Sequence, residues 1–219
     1  YLSDSAISFK VVRLEKNMGH GEARRVCFEN CSYPLIALMD ADDISKNDRF
    51  EKEIALFAED NDLAIVGSHV SEFWSDPESI KNRRTVELTD ERIKLDMKSR
   101  CPMNQPTVMF KKEAVAAVGG YLDWYCNEDY YLWIRLALAG YKFANIDDCL
   151  VNVRVDEKSY ERRGGKKYFS SEKKIQKIML QNKMIGFTQY TSNVTKRFIV
   201  QVLLPNKMRG WVFQKFARK

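Results

Sequence analysis

Leu35-Ile-Ala-Leu-Met-Asp40-Ala-Asp42-Asp43-Ile44 is the stretch that decides the fold. Residues 33 to 39 form a short apolar run with polar segments on both sides, the pattern of a buried strand in a parallel sheet. Three carboxylates within four residues close it. Open α/β sheets place their ligands at the carboxyl ends of their strands. Charges packed this tightly repel one another. A bound Mg²⁺ or Mn²⁺ would relieve that repulsion, its oxygen shell completed by substrate phosphates. The other reading is a solvated acidic turn that caps the next helix, and the spacing alone leaves both open.

Upstream, Phe9-Lys-Val-Val-Arg-Leu14 reads as a strand and Asn17-Met-Gly-His-Gly21 as a turn. Residues 22 to 31 have helical spacing, with Ala23, Val26, Cys27 and Cys31 on one face. The opening is therefore a β-α-β unit, which predicts a parallel sheet. Two glycines before a helix let a phosphate approach its N-terminus, or simply make a turn.

Downstream, Ser45 and Asp48 have the spacing of a helix start, and Phe50, Ile54, Leu56 and Phe57 give that helix a buried face. Residues 63 to 67 read as a third strand. Residues 73 to 89, with Trp74, Pro77 and Lys81-Asn-Arg-Arg84, read as an irregular excursion from the sheet. A short helix over 89–98, a rigid turn at Cys101-Pro-Met-Asn-Gln-Pro106, a brief strand over 107–110 and a helical turn stopped by Gly119-Gly120 follow. Asn127-Glu128-Asp129 then opens a patterned helix with Tyr130, Trp133, Ala137 and Leu138 inward, ending at Gly140. A helix dipole favours carboxylates in the first turn, so local capping alone accounts for Glu128 and Asp129. Residues 142–145 and 150–155 predict a final strand pair.

The 219 residues, 45% hydrophobic and 30% charged, fit one folded domain with an appendage. The apolar runs are shorter than the roughly 18–20 residues of a spanning helix, and nothing marks secretion. Cys27, Cys31, Cys101, Cys126 and Cys149 are scattered and include no Cys-x-x-Cys pair, which disfavours zinc and predicts reduced, mostly buried thiols in a cytoplasmic setting. The net charge of +6 hides a division: residues 173–219 hold 11 Lys or Arg and no acid, which leaves −5 on residues 1–172. The expected organisation is a body over 1–172 and a basic amphipathic helical tail over 173–219. Aromatic and basic residues over 193–219 suit an anionic membrane surface, or packing on the body; nucleic acid is disfavoured by the acidic body.

Five ordered pieces over residues 8–172 resemble one family. They are Asn17-x-Gly19-x-Gly21-x-Ala23-Arg24, Met39-Asp-Ala-Asp-Asp43, Gly119-Gly-Tyr121, Glu128-Asp-Tyr-Tyr-Leu-Trp-Ile-Arg135 with Ala139-Gly-Tyr141, and Val153-Arg-Val155. Together they resemble the family 2 inverting glycosyltransferases of the GT-A fold, specifically bacterial members that build capsule or exopolysaccharide. The resemblance implies a Rossmann-like α/β domain, its mostly parallel sheet flanked by helices. It also implies a nucleotide-diphospho-sugar donor, Mg²⁺ or Mn²⁺, and a saccharide or lipid-linked acceptor at the inner face of the cell membrane. Asp42 would hold the metal with Asp40, which also lies near the ribose, and Asp43 would support them. Arg24 matches a nucleotide contact, Gly119 and Gly120 a loop near the donor sugar, and Asp129 the catalytic base with Glu128 beside it. Family members begin with a β-α-β segment that this chain starts after, so the resemblance also allows a binding remnant without turnover. Asp156 stands where many relatives have a His, and its role is left open. The Gln-x-x-Arg-Trp signature of processive synthases is missing, which favours single-sugar transfer.

Overall fold

A computed structural model describes residues 8–156, 164–205 and 208. The elements in chain order are α1 (His20–Asn30), β1 (Leu35–Ala37), β2 (Ile44–Ser45), α2 (Arg49–Glu59), β3 (Leu63–Phe73), β4 (Ile80–Arg84) and α3 (Asp90–Met97). After a 3₁₀ turn at Gln105–Thr107 come β5 (Met109–Lys111), α4 (Lys112–Ala117), α5 (Glu128–Leu138), β6 (Lys142–Arg154), α6 (Lys166–Gln181) and α7 (Phe187–Phe198).

The strands form one sheet in the order β1-β5-β3-β6-β2, with β4 also paired to β3. The α/β class is as expected, but the sheet is mixed where a mostly parallel one was predicted. β3 and β6 are parallel neighbours, whereas β5 runs antiparallel between β1 and β3. A hydrophobic pattern marks a strand but not its direction; pairing sets that. Alternation assigns the two faces. Ile36, Ile65, Phe110 and Phe143 point into the main core beneath α1, α3, α5 and α6, while Val66 and Met109 meet Phe57 of α2 on the other side.

Four local expectations are revised. Residues 9 to 14 form no strand; Phe9, Val11 and Val12 are exposed, with no ladder partner among the described residues. Residues 80–84 are a strand rather than irregular chain, because the register Val70↔Arg84 lets a basic, exposed segment pair with the extension of β3. The two segments expected as a strand pair are one strand, β6, which follows β3 throughout and shifts register at Asp147 and Asp148. Helix α2 buries Arg49, Glu53 and Phe57 while Phe50 and Ile54 stay exposed, so its inward stripe carries an ion pair (Nε–Oε1 2.9 Å).

The boundary expected at 172/173 falls inside α6. Ile175, Met179 and Ile185 are buried in the same cluster as Trp133 and Phe110. Asn193 on α7 donates to Gln176 Oε1 and to Lys98 O, both at 2.9 Å, and Arg197 pairs with Glu172 at 2.7 Å. Residues 209–219, part of the predicted tail, lie outside the described residues. Among the described residues no helix is long and apolar enough to cross a membrane. None of the five cysteines is joined in a disulfide, and none is fully buried, contrary to expectation.

Removing the buried Met179 side chain tests this shared core. Met179→Ala should cost about 2–5 kcal/mol, seen in urea as one cooperative transition common to circular dichroism and tryptophan fluorescence. Two separate transitions would mean that α6 and α7 fold apart from the body.

Candidate active site

The chain crosses from β1 at one side of the sheet to β2 at the other through residues 38–43, which carries the acidic residues over the ends of the central strands. Leu38 N–H bonds to Val108 O at 2.8 Å before the crossing. After it, Ile44 and Ser45 pair with Asn152 and Val151 of β6. Asp43 Oδ1 accepts the Arg154 N–H at 2.9 Å, which pins the loop. Burial, reinforced by Asp40 and Asp42, pushes the Asp43 carboxyl up to about 6 against that hydrogen bond. Asp40 and Asp42 remain exposed.

Helix α1 brings the second component. Gly19, at φ +87°, starts it in a conformation that favours glycine. Gly21 lets it approach the segment that leads into α5 closely: a Cβ there would lie 3.1 Å from Leu122 O and 3.4 Å from Glu128 Cβ. The next turn presents Arg24, whose Nη1 donates to Glu128 Oε1 and whose Nη2 lies 3.5 Å from Asp40 Oδ1. One guanidinium therefore joins the acidic loop to the start of α5, which sequence spacing could not establish. Burial works against its charge, but Glu128, Asp129 and Asp40 together hold its pKa above the ordinary value. Burial, followed by the neighbouring Asp129, raises Glu128 despite Arg24. Glu128 Oε2 is buried without a hydrogen-bond partner among the described residues.

Asp129 Oδ1 accepts the Tyr130 N–H at 2.7 Å, and Cys101 Sγ approaches Oδ2 at 3.8 Å. One orientation of the Gln105 amide satisfies both Arg24 and Asp129, its oxygen accepting from Arg24 Nε at 3.0 Å and its nitrogen donating to Asp129 Oδ2 at 3.3 Å, whereas the other leaves only a 3.4 Å bond from the nitrogen to the Tyr121 hydroxyl. Reversed, acceptor would face acceptor. Gln105, Cys101 and Tyr121 belong to this cluster without having been singled out as site residues. The one local signal for Gln105 was a polar residue held between Pro102 and Pro106.

Gly119 and Gly120 cap α4: their N–H groups bond to Ala116 O and Val115 O, both at 2.9 Å, with φ at +86° and +68°. Arg135 Nη2 donates to Gly120 O at 2.6 Å. Capping accounts for both glycines, and it delivers the next residue, buried Tyr121, to the charges of Arg24, Asp129 and Glu128. Asn127 makes no side-chain cap to α5; it donates instead to Ser171 Oγ of α6 at 3.1 Å, and Ser171 donates to Tyr125 O at 2.6 Å. A cavity of about 580 Å³ lies along β1 between Tyr33, Phe57 and Lys111, and none of the site carboxylates lines it.

The mixed sheet flanked by helices is of the GT-A class, the fold of its solved structural neighbours. A mannosyltransferase from Pyrobaculum calidifontis, solved with GDP-Man and Mn²⁺, superposes with a TM-score of 0.54 at 13% identity, over 91% of this chain and 54% of that one. This chain thus spans about half of that solved protein. The family model "Glycosyl transferase family 2" matches residues 2–119, and the chain belongs to that family. It is 34% identical over 213 residues to the UDP-Gal:alpha-D-GlcNAc-diphosphoundecaprenol beta-1,3-galactosyltransferase of Escherichia coli, covering 97% of this chain and 77% of that protein. It is 31% identical over 205 residues to the amylovoran biosynthesis glycosyltransferase AmsE of Erwinia amylovora, covering 94% and 76%.

Arg24→Met should destabilise the fold by about 3–5 kcal/mol at neutral pH, because it leaves Glu128 buried and uncompensated. In the variant the folded-state pKa of Glu128 rises further above its unfolded value, so the penalty is present when the group is ionised and fades as pH falls through the folded pKa. Urea titrations at pH 5 and pH 8 should show the smaller deficit at pH 5.

Proposed function

We propose that the chain transfers a sugar from a nucleotide-diphospho-sugar to a hydroxyl of a saccharide or lipid-linked acceptor, with inversion, in cell-surface polysaccharide synthesis. The observation that carries this reading is Arg24, bonded to both the acidic loop and Glu128. Donor-side and acceptor-side carboxylates then border one cleft, as a single displacement requires. Relatives named for polysaccharide synthesis and for a diphosphoundecaprenol acceptor support it.

Asp40 and Asp42 are exposed oxygen donors of the type that suits Mg²⁺ or Mn²⁺. Among the described residues no three His, Cys, Asp or Glu converge on one point, so the remaining ligands would come from donor phosphates and water. The cleft carboxylates outnumber Arg24 and would repel a diphosphate, which also fits a cation-dependent donor. When bound, the cation offsets charge on the departing phosphate. Asp42 and Asp40 would hold it, with Asp43 fixing the loop and Arg24 reaching the nucleotide side.

Asp129 takes the proton of the attacking hydroxyl. It must be ionised and within hydrogen-bond reach, and its place in the first turn of α5 favours the charged form. Glu128, locked to Arg24, keeps one buried oxygen without a hydrogen-bond partner among the described residues. Attack on the face opposite the leaving diphosphate inverts the anomeric centre in one step.

The acceptor side is proposed to lie at the cytoplasmic membrane face. Phe198, Ile199 and Leu203 are exposed at the end of α7 and its continuation, ahead of the basic stretch from Lys207. Asn193, Arg197 and Gln201 hold α7 to the body, so a tail deletion should begin at residue 206. The 206–219 deletion should float less with anionic vesicles than the full chain, at unchanged melting temperature.

A binding protein without turnover is the second reading, favoured by the outer edge of β1, which has no partner among the described residues. Nucleoside-diphosphate release separates the two. Asp42→Ala should abolish Mn²⁺-dependent donor binding. Asp129→Asn should keep donor binding and lower turnover by about 10²–10⁴. Turnover retained in Asp129→Asn would refute the base assignment, and donor binding without turnover in the parent chain would favour the binder.

A further inference from the structure

We propose that Gln105 is the residue that positions the base carboxylate, tying Asp129 through Arg24 to the donor side of the cleft. The inference rests on the reading of Asp129 as the base and adds a residue that none of the family motifs contains.

Gln105 is only 9% exposed and sits on a turn with little freedom. Thr107 Oγ1 donates to Asn104 O at 2.8 Å and accepts the Ser68 N–H at 2.9 Å, while Asn104 Nδ2 donates to Ser68 O at 2.8 Å. Pro106 fixes one backbone angle within the same turn. The turn is thereby fastened to β3, the most buried strand, and the Gln105 side chain leaves from a rigid base.

Its amide makes two different bonds with its two ends. The nitrogen reaches Asp129 Oδ2 at 3.3 Å, and because the Tyr130 N–H already holds Oδ1, the carboxylate cannot rotate without losing a bond. The oxygen receives Arg24 Nε at 3.0 Å, so Arg24 uses Nε for Gln105, Nη1 for Glu128 and Nη2 for Asp40. A neutral donor suits this place. A lysine or arginine would hold Asp129 so strongly as an anion that it would take up a proton poorly, whereas an amide orients it and stabilises its charged form only modestly. Among the described residues, the other charged or titratable groups that face Asp129 include Glu128 on its own helix, Arg24 on α1 (where His20 faces Glu128), Cys101 before the turn, and the Tyr121 hydroxyl.

Carboxyl ¹³C NMR of the full chain tests this without knowledge of the acceptor, with Asp129→Asn identifying the resonance by its loss. Gln105→Ala removes a hydrogen bond to the charged form, so the Asp129 midpoint should rise by about one unit. Gln105→Glu adds a like charge and should raise it further, and Gln105→Asn should fall between parent and alanine. Melting temperatures control for folding, and the glutamate variant, nearly isosteric, keeps the test open should the alanine variant unfold. In nucleoside-diphosphate release with UDP-galactose and Mn²⁺, Gln105→Ala should lower kcat about 10–100-fold at unchanged donor KM. An Asp129 midpoint equal to the parent's in both the alanine and glutamate variants would overturn the positioning role. Full turnover in Asp129→Asn would instead overturn the base reading, whatever the midpoints show.

Discussion

The Arg24 guanidinium between Asp40 and Glu128 is the constraint on which the rest of the cleft depends. Two carboxylate groups far apart in the chain belong to different elements, one on a loop that crosses the sheet and one at the start of a helix. Like charges on neighbouring surfaces would push those elements apart. A single delocalised cation with donors on several edges holds both, and its fork geometry lets it do so with separate nitrogens. Desolvation opposes burying such a charge, and it is overcome because three carboxylates share it.

Much of the surrounding architecture permits this one contact. Gly21 has no Cβ to strike Leu122 O, so α1 can press against the loop that leads into α5. The capped end of α4 at Gly119–Gly120, gripped by Arg135, aims that loop across the cleft and buries Tyr121 beside Arg24. On the far side Asn127 and Tyr125 are held by Ser171, so α6 braces the same helix start from outside. The C-terminal helices are thus part of the frame of the site.

Glu128 Oε2 is buried with no partner among the described residues, and Asp40 and Asp42 face outward. Under the proposed function, the exposed pair Asp40 and Asp42 would meet the cation that brings the donor phosphates. The family assignment rests on the matched relatives and the ordered motifs, and the proposed chemistry rests in addition on this distribution of charge.

The sequence by itself determined the α/β class, the strand leading into Asp40-Ala-Asp42-Asp43, the helix opening at Glu128-Asp129, and, through five ordered motifs, the family. These are local: an apolar run, a charge cluster and a glycine stop are readable within about ten residues. Tertiary structure alone decided the antiparallel entry of β5, the pairing of Lys81–Arg84 with β3, and the inward face of α2 with its Arg49–Glu53 pair. It alone brought Gln105 to Asp129 and Arg24 to both acidic sites, because a hydrogen bond between residues 104 positions apart leaves no periodic trace in a single sequence. Strand direction and long-range charge pairing depend on which surfaces meet, and that follows from packing the whole chain rather than from any stretch of it.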